Sequence, residues 1–416
     1  MEKCTAEPIE FARDETREVL ERIVRRGAQR MLQVALEEEV AEFVERHGEL
    51  KDAEGRQAVV RNGYAEERKI YTAAGGLEIR RPRVDDRKAR GEEDYEGFSS
   101  LILPRYMRKS PTVEGAVALL YLKGISTNDF PRALEGIFGE RVAGLSPATI
   151  TKLKRVWEQE YEAWRKGPLS SEEYPYVWAD GVYFNVRMDD ERSCILIVMG
   201  ANSKGTKELL AIQDGFRESK ASWREVLLSL KARGLKKAPK LAIADGALGF
   251  WAAVAEVFPT TRGQRCWVHK TANVLEKMPR SVQSKAKAMM HDIYRAERKK
   301  EALQAYQHFL DSFRAKYPRA VACLEKDKGA LFEFYDFPCE HWQHIRSTNV
   351  IESVFATVRL RTYRTKGCGT RVATLTMVFK LVQEASRSWH RLDSANLLEF
   401  VVSEKKFTDG VMENVA

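Results

Sequence analysis

The sequence predicts a mixed α/β protein: a β-sheet covered by helices, with helical regions before it and within it. Three observations predict this class. Residues 174–268 contain three strand-like segments followed by alternating helical and strand-like segments. Residues 270–338 are helical throughout and interrupt that alternation. Residues 1–60 carry apolar residues at helical spacing.

Composition limits the classes of protein that the chain can belong to. It has 416 residues, of which 44% are hydrophobic and 31% charged, so a sizeable core is expected and a disordered chain is excluded. No run approaches about 18 consecutive apolar residues, so we expect no membrane span or membrane partner. The start of the chain lacks a signal-peptide pattern, and six cysteines are too few for a disulfide scaffold. We therefore expect a cytoplasmic protein. The net charge of +9 is compatible with nucleic-acid binding but does not establish it.

The region before residue 110 has two parts. Residues 11–41 predict a helix, and residues 61–64 (RNGY) predict a turn. Residues 69–72 and 77–80 flank two glycines and predict a hairpin. The basic run within residues 80–90 is either a solvated charged loop or a DNA-binding arm.

Residues 111–165 predict three short helices. They cover residues 114–123, a segment capped by Ser126 and ended by Gly139, and residues 148–164 after Ser146-Pro147. The pattern fits a helix-turn-helix DNA-binding unit and an ordinary three-helix unit equally well. In the first case, DNA contacts are expected from the last helix, at Thr149, Lys152, Lys154 and Arg155.

The predicted sheet has the order β-β-β-α-β-α-β. Strands are expected at residues 174–188, 194–201, 207–213, 239–244 and 264–268, with helices at 222–233 and 248–258. After the helical stretch, two more helices are expected at 350–361 and 372–389. The domains expected are a helical region (1–60), a basic hairpin and linker (61–110), a helix-turn-helix domain (111–168), the core (169–269), a helical insertion (270–340), the rest of the core (341–395) and a tail (396–416).

Three acidic residues stand in unusual contexts. Asp180 lies inside an apolar strand, Asp245 ends another strand, and Glu352 lies near the start of a helix. A buried acid is costly unless it is paired or binds a metal ion, and ligands often bind at the carboxyl ends of sheet strands. Taken singly, Asp245 also fits a turn before Gly246, and Glu352 also fits a helix-dipole contact. Together the three predict a Mg²⁺ site.

Two further groups of residues accompany the acids. Cys266 and His269 form a C-x-x-H pair, which we expect to fix the junction between sheet and insertion and to place His269 near the site. A zinc site completed by Cys339, His341 and His344 is the alternative. A basic tract follows Glu352 and predicts contacts to the DNA backbone, with a solvated face as the alternative; it comprises Arg359, Arg361, Arg364, Lys366 and Arg371.

The motifs resemble those of the bacterial insertion-sequence transposases of the Mutator-like type. They are DGVYFNVR at 180–187, ADGALGFWAAVAEVFP at 244–259, RCWVHK at 265–270 and STNVIESVFATVRLRT at 347–362. RNGY at 61–64, the YLKGIST and LSPATI stretches and the PLSSEEYPYVWAD approach to Asp180 extend the resemblance over nearly the whole chain.

The resemblance implies a DDE transposase with an RNase H-like catalytic core and an all-helical insertion. It maps the catalytic, metal-binding acids onto Asp180, Asp245 and Glu352, and the family's C/D-x-x-H motif onto Cys266 and His269. It implies Mg²⁺, with Mn²⁺ as a substitute, and two-metal cleavage and strand transfer at terminal inverted repeats. DNA is then the partner, and joining two ends implies at least a homodimer. The alternatives are an RNase H-like nuclease that does not transpose and a non-catalytic helix-turn-helix regulator.

Overall fold

A computed structural model describes residues 7–90, 95–125, 129–138, 147–184, 193–215, 217–364 and 370–413. The chain forms two compact units, Met1–Thr151 and Lys152–Ala416. Its helices and strands are mixed, as the sequence predicts. Within the described ranges, no helix is both long enough and apolar enough to cross a bilayer.

The first unit is built around one long helix and two small sheets. Its elements are α1 (Glu7–Arg46), β1 (Val60–Tyr64), β2 (Arg68–Thr72), β3 (Gly75–Ile79), β4 (Pro82–Asp85), α2 (Pro111–Leu122) and α3 (Phe130–Phe138), and α4 (Pro147–Lys166) crosses the unit boundary. Leu36 of α1 packs with Ile70, Leu77 and Ile79, which lie on the predicted β2–β3 hairpin.

The predicted turn at 61–64 is wrong, because this segment is strand β1. It pairs with β4, and the register is irregular between Arg61 and Tyr64. Gly63 has a φ of +59°, so the Asn-Gly signal marks an irregularity within a strand and not a reversal of the chain. In the neighbouring basic run, ion pairs join Arg87 to Asp85 and Lys88 to Asp52, which favours the solvated-loop alternative.

All three helices expected between 111 and 165 are present as α2, α3 and α4. Ser110 caps α2 through a hydrogen bond from the Val113 amide. The expected signals at Ser126, Gly139 and Ser146 lie outside the described residues. The helix-turn-helix interpretation therefore stays a prediction.

The second unit contains a five-stranded sheet with the strand order β7-β6-β5-β8-β9. Its elements are β5 (Tyr176–Phe184), β6 (Ser193–Ala201), β7 (Lys207–Gly215), α5 (Lys220–Ala232), β8 (Leu241–Ala244), α6 (Leu248–Val257) and β9 (Arg262–Arg265). β5, β6 and β7 are antiparallel neighbours, whereas β5, β8 and β9 are parallel. This confirms the predicted β-β-β-α-β-α-β order.

Strand boundaries in this sheet shift from the prediction by at most two residues, except at the ends of β5 and β9. β5 ends at Phe184, and the rest of its predicted extent, from 185 to 188, lies outside the described residues. The last strand was expected to run to Val268, but Trp267 already begins a helix. The Cys266 amide donates the last hydrogen bond between this segment and β8, to the carbonyl of Ala244. The next amide, that of Trp267, donates to the carbonyl of Arg346. The chain therefore leaves the sheet at Cys266.

The core lies between the sheet and the pair α5 and α6. Trp223 of α5 and Phe250 of α6 are 1% exposed, and their rings meet edge to face at 5.0 Å. They pack on inward-facing residues of the sheet such as Val177, Leu196 and Ala242. This packed layer holds the first half of β5 and the carboxyl end of β8 in place.

The chain from Trp267 to the carboxyl end is mainly helical. It forms α7 (Trp267–Leu275), α8 (Arg280–Arg295), α9 (Lys299–Phe313), α10 (Pro318–Glu325), α11 (Lys328–Leu331), α12 (Trp342–Ile345), α13 (Asn349–Arg364), α14 (Arg371–Ser386) and α15 (Leu398–Val402). A short hairpin follows, of β10 (Phe407–Thr408) and β11 (Val411–Met412). The predicted helical stretch 270–338 is confirmed, with a 3₁₀ turn at Glu333–Asp336. The segment expected as a tail contains α15 and this hairpin.

Candidate active site

Strand pairing places Asp180 and Asp245 side by side. Ala179 of β5 pairs with Ala244 of the parallel strand β8, and an aspartate follows each alanine. Equal register on neighbouring parallel strands brings the two residues to the same level of the sheet. Two of the three acids found in the sequence therefore meet where β8 ends beside β5.

Asp180 is buried, and no described residue forms a salt bridge with it. Its residue is 7% exposed, and its Oδ1 accepts a 2.9 Å hydrogen bond from the adjacent Gly181 amide. Burial raises the pKa of Asp180 to about 6; the charges of Asp245 and Glu352 add to the rise, and His269 opposes it. Such a carboxylate favours a cation as its neighbour.

Asp245 forms a turn with one carboxylate oxygen and leaves the other oxygen available to a ligand. Its Oδ1 accepts a 2.9 Å bond from the Ala247 amide, and its carbonyl accepts a 3.0 Å bond from Trp251 Nε1. The turn expected at Asp245-Gly246 is thus present. The turn fixes Oδ1 of Asp245, which is half-buried as a residue. A ligand at Oδ2 is compatible with it.

Glu352 reaches the same site from helix α13. Ile351 and Phe355 of this helix are fully buried, which fixes the rotation of the helix about its axis. The Glu352 side chain is 32% exposed, and its Oε1 lies 3.8 Å from Nε2 of His269. Its charge contributes to the raised pKa of Asp180, so the third acid belongs to the same cluster.

The C-x-x-H pair joins the end of the sheet to the start of α13. Cys266 Sγ accepts bonds of 3.3 Å from both the amide and the hydroxyl of Thr348. Thr348 Oγ1 lies 3.2 Å from His269 Nδ1. The bond with Cys266 raises the pKa of His269 to about 9; burial opposes the rise, and the charges of Asp180 and Asp245 add to it. His269 is therefore a cation at neutral pH.

The zinc alternative is wrong in the form that the sequence offered. Nδ1 of His341 lies 2.9 Å from the Tyr176 hydroxyl, and Nε2 lies 3.2 Å from the Ser394 carbonyl oxygen. His344 pairs with Asp393. Within the described ranges, Cys266 and His269 instead form a potential ligand group with Glu352, with ligand atoms within 4.8 Å of one another. The second half of a Cys/His zinc site is thus missing from this group.

Two buried cations anchor the helical stretch to the sheet. Lys270, which is 2% exposed, and Arg265, which is 4% exposed, both pair with Asp327. Lys270 Nζ also donates to the Cys323 carbonyl at 2.8 Å. The junction expected of Cys266 and His269 is therefore shared: Cys266 connects to α13, and Lys270 holds the helices after α7.

The basic residues expected to contact DNA lie on three helices. On α4, Lys152, Lys154 and Arg155 are exposed, and the Thr149 side chain lies outside the described residues. Arg359 of α13 is exposed, with its guanidinium 5.8 Å from the Phe355 ring centroid. Arg371 begins α14, with Nη1 3.6 Å from Asp214. Lys366 and the side chains of Arg361 and Arg364 lie outside the described part of the chain.

Sequence reasoning missed a fourth acid, Glu218. It lies between β7 and α5, and its carboxyl group packs where a side chain at Gly181 would stand. Burial raises the pKa of Glu218 to about 7, and the charges of Asp245 and Asp180 add to the rise. In the sequence it precedes Ser219, which caps α5, so it is indistinguishable from an ordinary helix-start acid.

This chain aligns with known proteins over most of its length. It is 49% identical over 292 residues to the transposase for insertion sequence element IS6120 of Mycolicibacterium smegmatis, covering 70% of this chain and 90% of that protein. It is 47% identical over 283 residues to the transposase for element IST2 of Acidithiobacillus ferrooxidans, covering 68% and 96%. The transposase for IS256 in transposon Tn4001 of Staphylococcus aureus is 27% identical over 318 residues, covering 75% and 77%.

A family model, described as the Mutator family of transposases, matches residues 2–392. This match confirms the resemblance found in the motifs. The chain belongs to the Mutator family of transposases.

Proposed function

We propose that this chain is a DDE transposase that cleaves and joins the ends of its own insertion sequence in the cytoplasm. The observation that carries the proposal is the meeting of Asp180, Asp245 and Glu352 where β8 ends beside β5. The strand order β7-β6-β5-β8-β9, with three antiparallel strands followed by two parallel ones, supports an RNase H-like core. The relatives are transposases for insertion sequence elements, and this supports the proposal.

The donor chemistry of the site fits Mg²⁺ or Mn²⁺. Carboxylate oxygens are the ligands that these hard cations prefer, and Asp180 is a buried acid with a raised pKa. Asp180, Asp245 and Glu352 would hold the ions. When bound, two such ions would activate water or a 3′-hydroxyl and stabilise the leaving oxygen of an in-line phosphoryl displacement.

The protein's own residues supply position and charge. The paired strands fix Asp180 and Asp245 relative to each other, and the buried face of α13 fixes Glu352. His269 orients Glu352 from 3.8 Å and provides positive charge beside the acids. Thr348 holds both Cys266 and His269, so it ties the start of α13 to the edge of the sheet.

DNA binding is assigned to the exposed basic residues. Lys152, Lys154 and Arg155 lie on α4, the third helix of the proposed helix-turn-helix, and would contact the inverted repeats together with Thr149. Arg359 and Arg371 are the described members of the tract that would hold the DNA backbone near Glu352. Arg361, Arg364 and Lys366 belong to the same proposed surface.

Joining two ends requires at least two copies, and α1 offers a surface for a second copy. Leu20, Ile23, Met31 and Val34 are 59%, 62%, 74% and 47% exposed. They lie symmetrically about Gly27, where an added Cβ would meet nothing within 4 Å. An antiparallel pair of α1 helices crossing at Gly27 would bring Leu20 of one copy opposite Val34 of the other, and Ile23 opposite Met31. A homodimer would bury this stripe.

The test separates binding from chemistry. Purified wild-type protein and Asp180→Asn are compared for binding to a labelled end of the element and for its cleavage in Mg²⁺. We expect equal binding and no detectable cleavage by the variant, because an amide replaces a metal-binding carboxylate. Cleavage at the wild-type rate, or loss of binding together with cleavage, would contradict the role of Asp180. The exposed variant Asp311→Asn on α9 is the control.

A further inference from the structure

The position of Glu218 is fixed by contacts with two glycines of the second unit. A Cβ on Gly249 of α6 would lie 2.2 Å from the backbone oxygen of Glu218. A Cβ on Gly181 of β5 would lie 2.5 Å from Cδ and 2.6 Å from Oε1 of the Glu218 side chain. The backbone of Glu218 is thus packed on α6, and its carboxyl group is packed on the residue that follows Asp180.

This carboxyl group has no structural partner in the described part of the chain. Its Oε2 is buried and accepts no hydrogen bond from any described residue. The charged groups that act on it are Asp245, Asp180 and His269. Glu218 is half-buried as a residue, but its Oε2 atom is inaccessible to solvent. An acid placed there beside two other acids destabilises the folded protein, so packing alone does not account for glutamate here.

A cation beside the Glu218 carboxylate would give its Oε2 atom a favourable interaction. Glu218 adds an oxygen donor on the α5 side of Asp180, whereas Glu352 approaches from α13. Hard divalent ions take several carboxylate oxygens, and a ligand set fixed by packing binds them with little rearrangement. Ordinary helix capping is already provided by Ser219, whose hydroxyl accepts from the Ser222 amide at 3.1 Å.

We propose that Glu218 is a fourth carboxylate ligand of the divalent-metal site, beside Asp180 and Asp245. This rests on the proposed function, because it assumes that Asp180, Asp245 and Glu352 hold the metal ions. It assigns the unpartnered Oε2 atom to the metal ion or to one of its water molecules. Gly181 and Gly249 are then required for the close approach of Glu218 to the site.

The test measures Mn²⁺ binding by calorimetry, in the full-length protein without DNA. The variants are Glu218→Gln, Glu218→Asp and Asp180→Asn, and Glu225→Gln, an exposed acid of α5, is the control. We expect Glu218→Gln to weaken Mn²⁺ binding about tenfold or more, and Glu218→Asp to weaken it less.

The outcomes separate this proposal from the proposed function. Loss of Mn²⁺ affinity in both Asp180→Asn and Glu218→Gln, with Glu225→Gln unchanged, supports both. Wild-type affinity in Glu218→Gln alongside a loss in Asp180→Asn would overturn the role of Glu218 alone. Wild-type affinity in both variants would overturn the metal site itself. If Glu218→Gln does not fold, equal Mn²⁺ affinity of Glu218→Asp and the wild type would count against the proposal.

Discussion

His269 Nε2 lies 3.8 Å from Glu352 Oε1, and this contact joins helix α7 to helix α13. Thr348 strengthens the connection, because it bonds to Cys266 and lies 3.2 Å from His269 Nδ1. With its pKa raised to about 9 by the bond with Cys266 and by the nearby acids, His269 is positively charged at neutral pH. It therefore offsets part of the repulsion among the clustered carboxylates before any metal ion binds.

The first prediction concerns the stability of the metal-free protein as pH changes. Burial raises the pKa of Asp180 to about 6, above its value in the unfolded chain. Its neutral form therefore favours the folded state below about pH 4, and this contribution is lost as pH rises through about 6. We expect Asp180→Asn to gain stability relative to the wild type over that interval, by up to about 3 kcal/mol.

Urea unfolding in EDTA from pH 4 to 7 measures this difference. Asp311→Asn, which changes an exposed acid on α9, should track the wild type throughout. A constant difference between Asp180→Asn and the wild type across the range would show that Asp180 ionises normally.

The second prediction tests the close approach of Glu218 to β5. In Gly181→Ala, the new methyl group would lie 2.5 Å from the Glu218 carboxyl carbon, so the side chain or the loop must move. We expect a loss of stability of about 1–3 kcal/mol, together with weaker Mn²⁺ binding. Gly329→Ala, where the added Cβ meets nothing within 4 Å, is the matched control. Scanning calorimetry measures the stability of both variants, and titration calorimetry measures their Mn²⁺ affinity. Equal stability and equal Mn²⁺ affinity of Gly181→Ala and Gly329→Ala would refute the contact.

The third prediction concerns the anchor of the helical stretch. Asp327 neutralises Lys270 and Arg265, both of which are nearly inaccessible to solvent. Removing it in Asp327→Ala leaves two buried cations, and we expect a loss of about 3–5 kcal/mol in the free energy of unfolding. The exposed pair of Arg314 and Glu325 provides the comparison, since Glu325→Ala should cost about 1 kcal/mol or less. Equal costs in the two variants would contradict a buried anchor.

The fourth prediction concerns the exposed stripe of α1. We expect the full-length protein to sediment as a dimer and the double variant Ile23→Glu/Met31→Glu to sediment as a monomer. The reason is that both changes place charge within the proposed contact. Leu101→Glu, at a residue that is 91% exposed in the same unit, should leave the dimer intact. A dimer that survives the double variant would exclude this face as the contact.

Sequence periodicity predicted the order of the strands along the chain and placed Asp180 within one strand and Asp245 at the end of another. The pairing of Ala179 with Ala244, which makes the two acids neighbours, is visible only in the fold. A strand that carries an acid among apolar residues and a strand that ends in an acid can each be recognised from the local sequence. Glu218 could not be predicted in this way, because its role depends on two glycines brought close by the fold, Gly181 and Gly249. The strand at 61–64 was missed because Asn62-Gly63 is a strong turn signal, and only the pairing with β4 overrides it.

The most direct test of the central claim is a strand-transfer assay. It combines purified protein, a DNA end of the element and supercoiled target DNA, in Mg²⁺ or in EDTA, with Glu352→Gln alongside the wild type. We expect joined products from the wild type only in Mg²⁺, and none from Glu352→Gln although it binds the end equally well. Joining by Glu352→Gln at the wild-type rate, or joining in EDTA, would contradict metal-dependent catalysis by Asp180, Asp245 and Glu352.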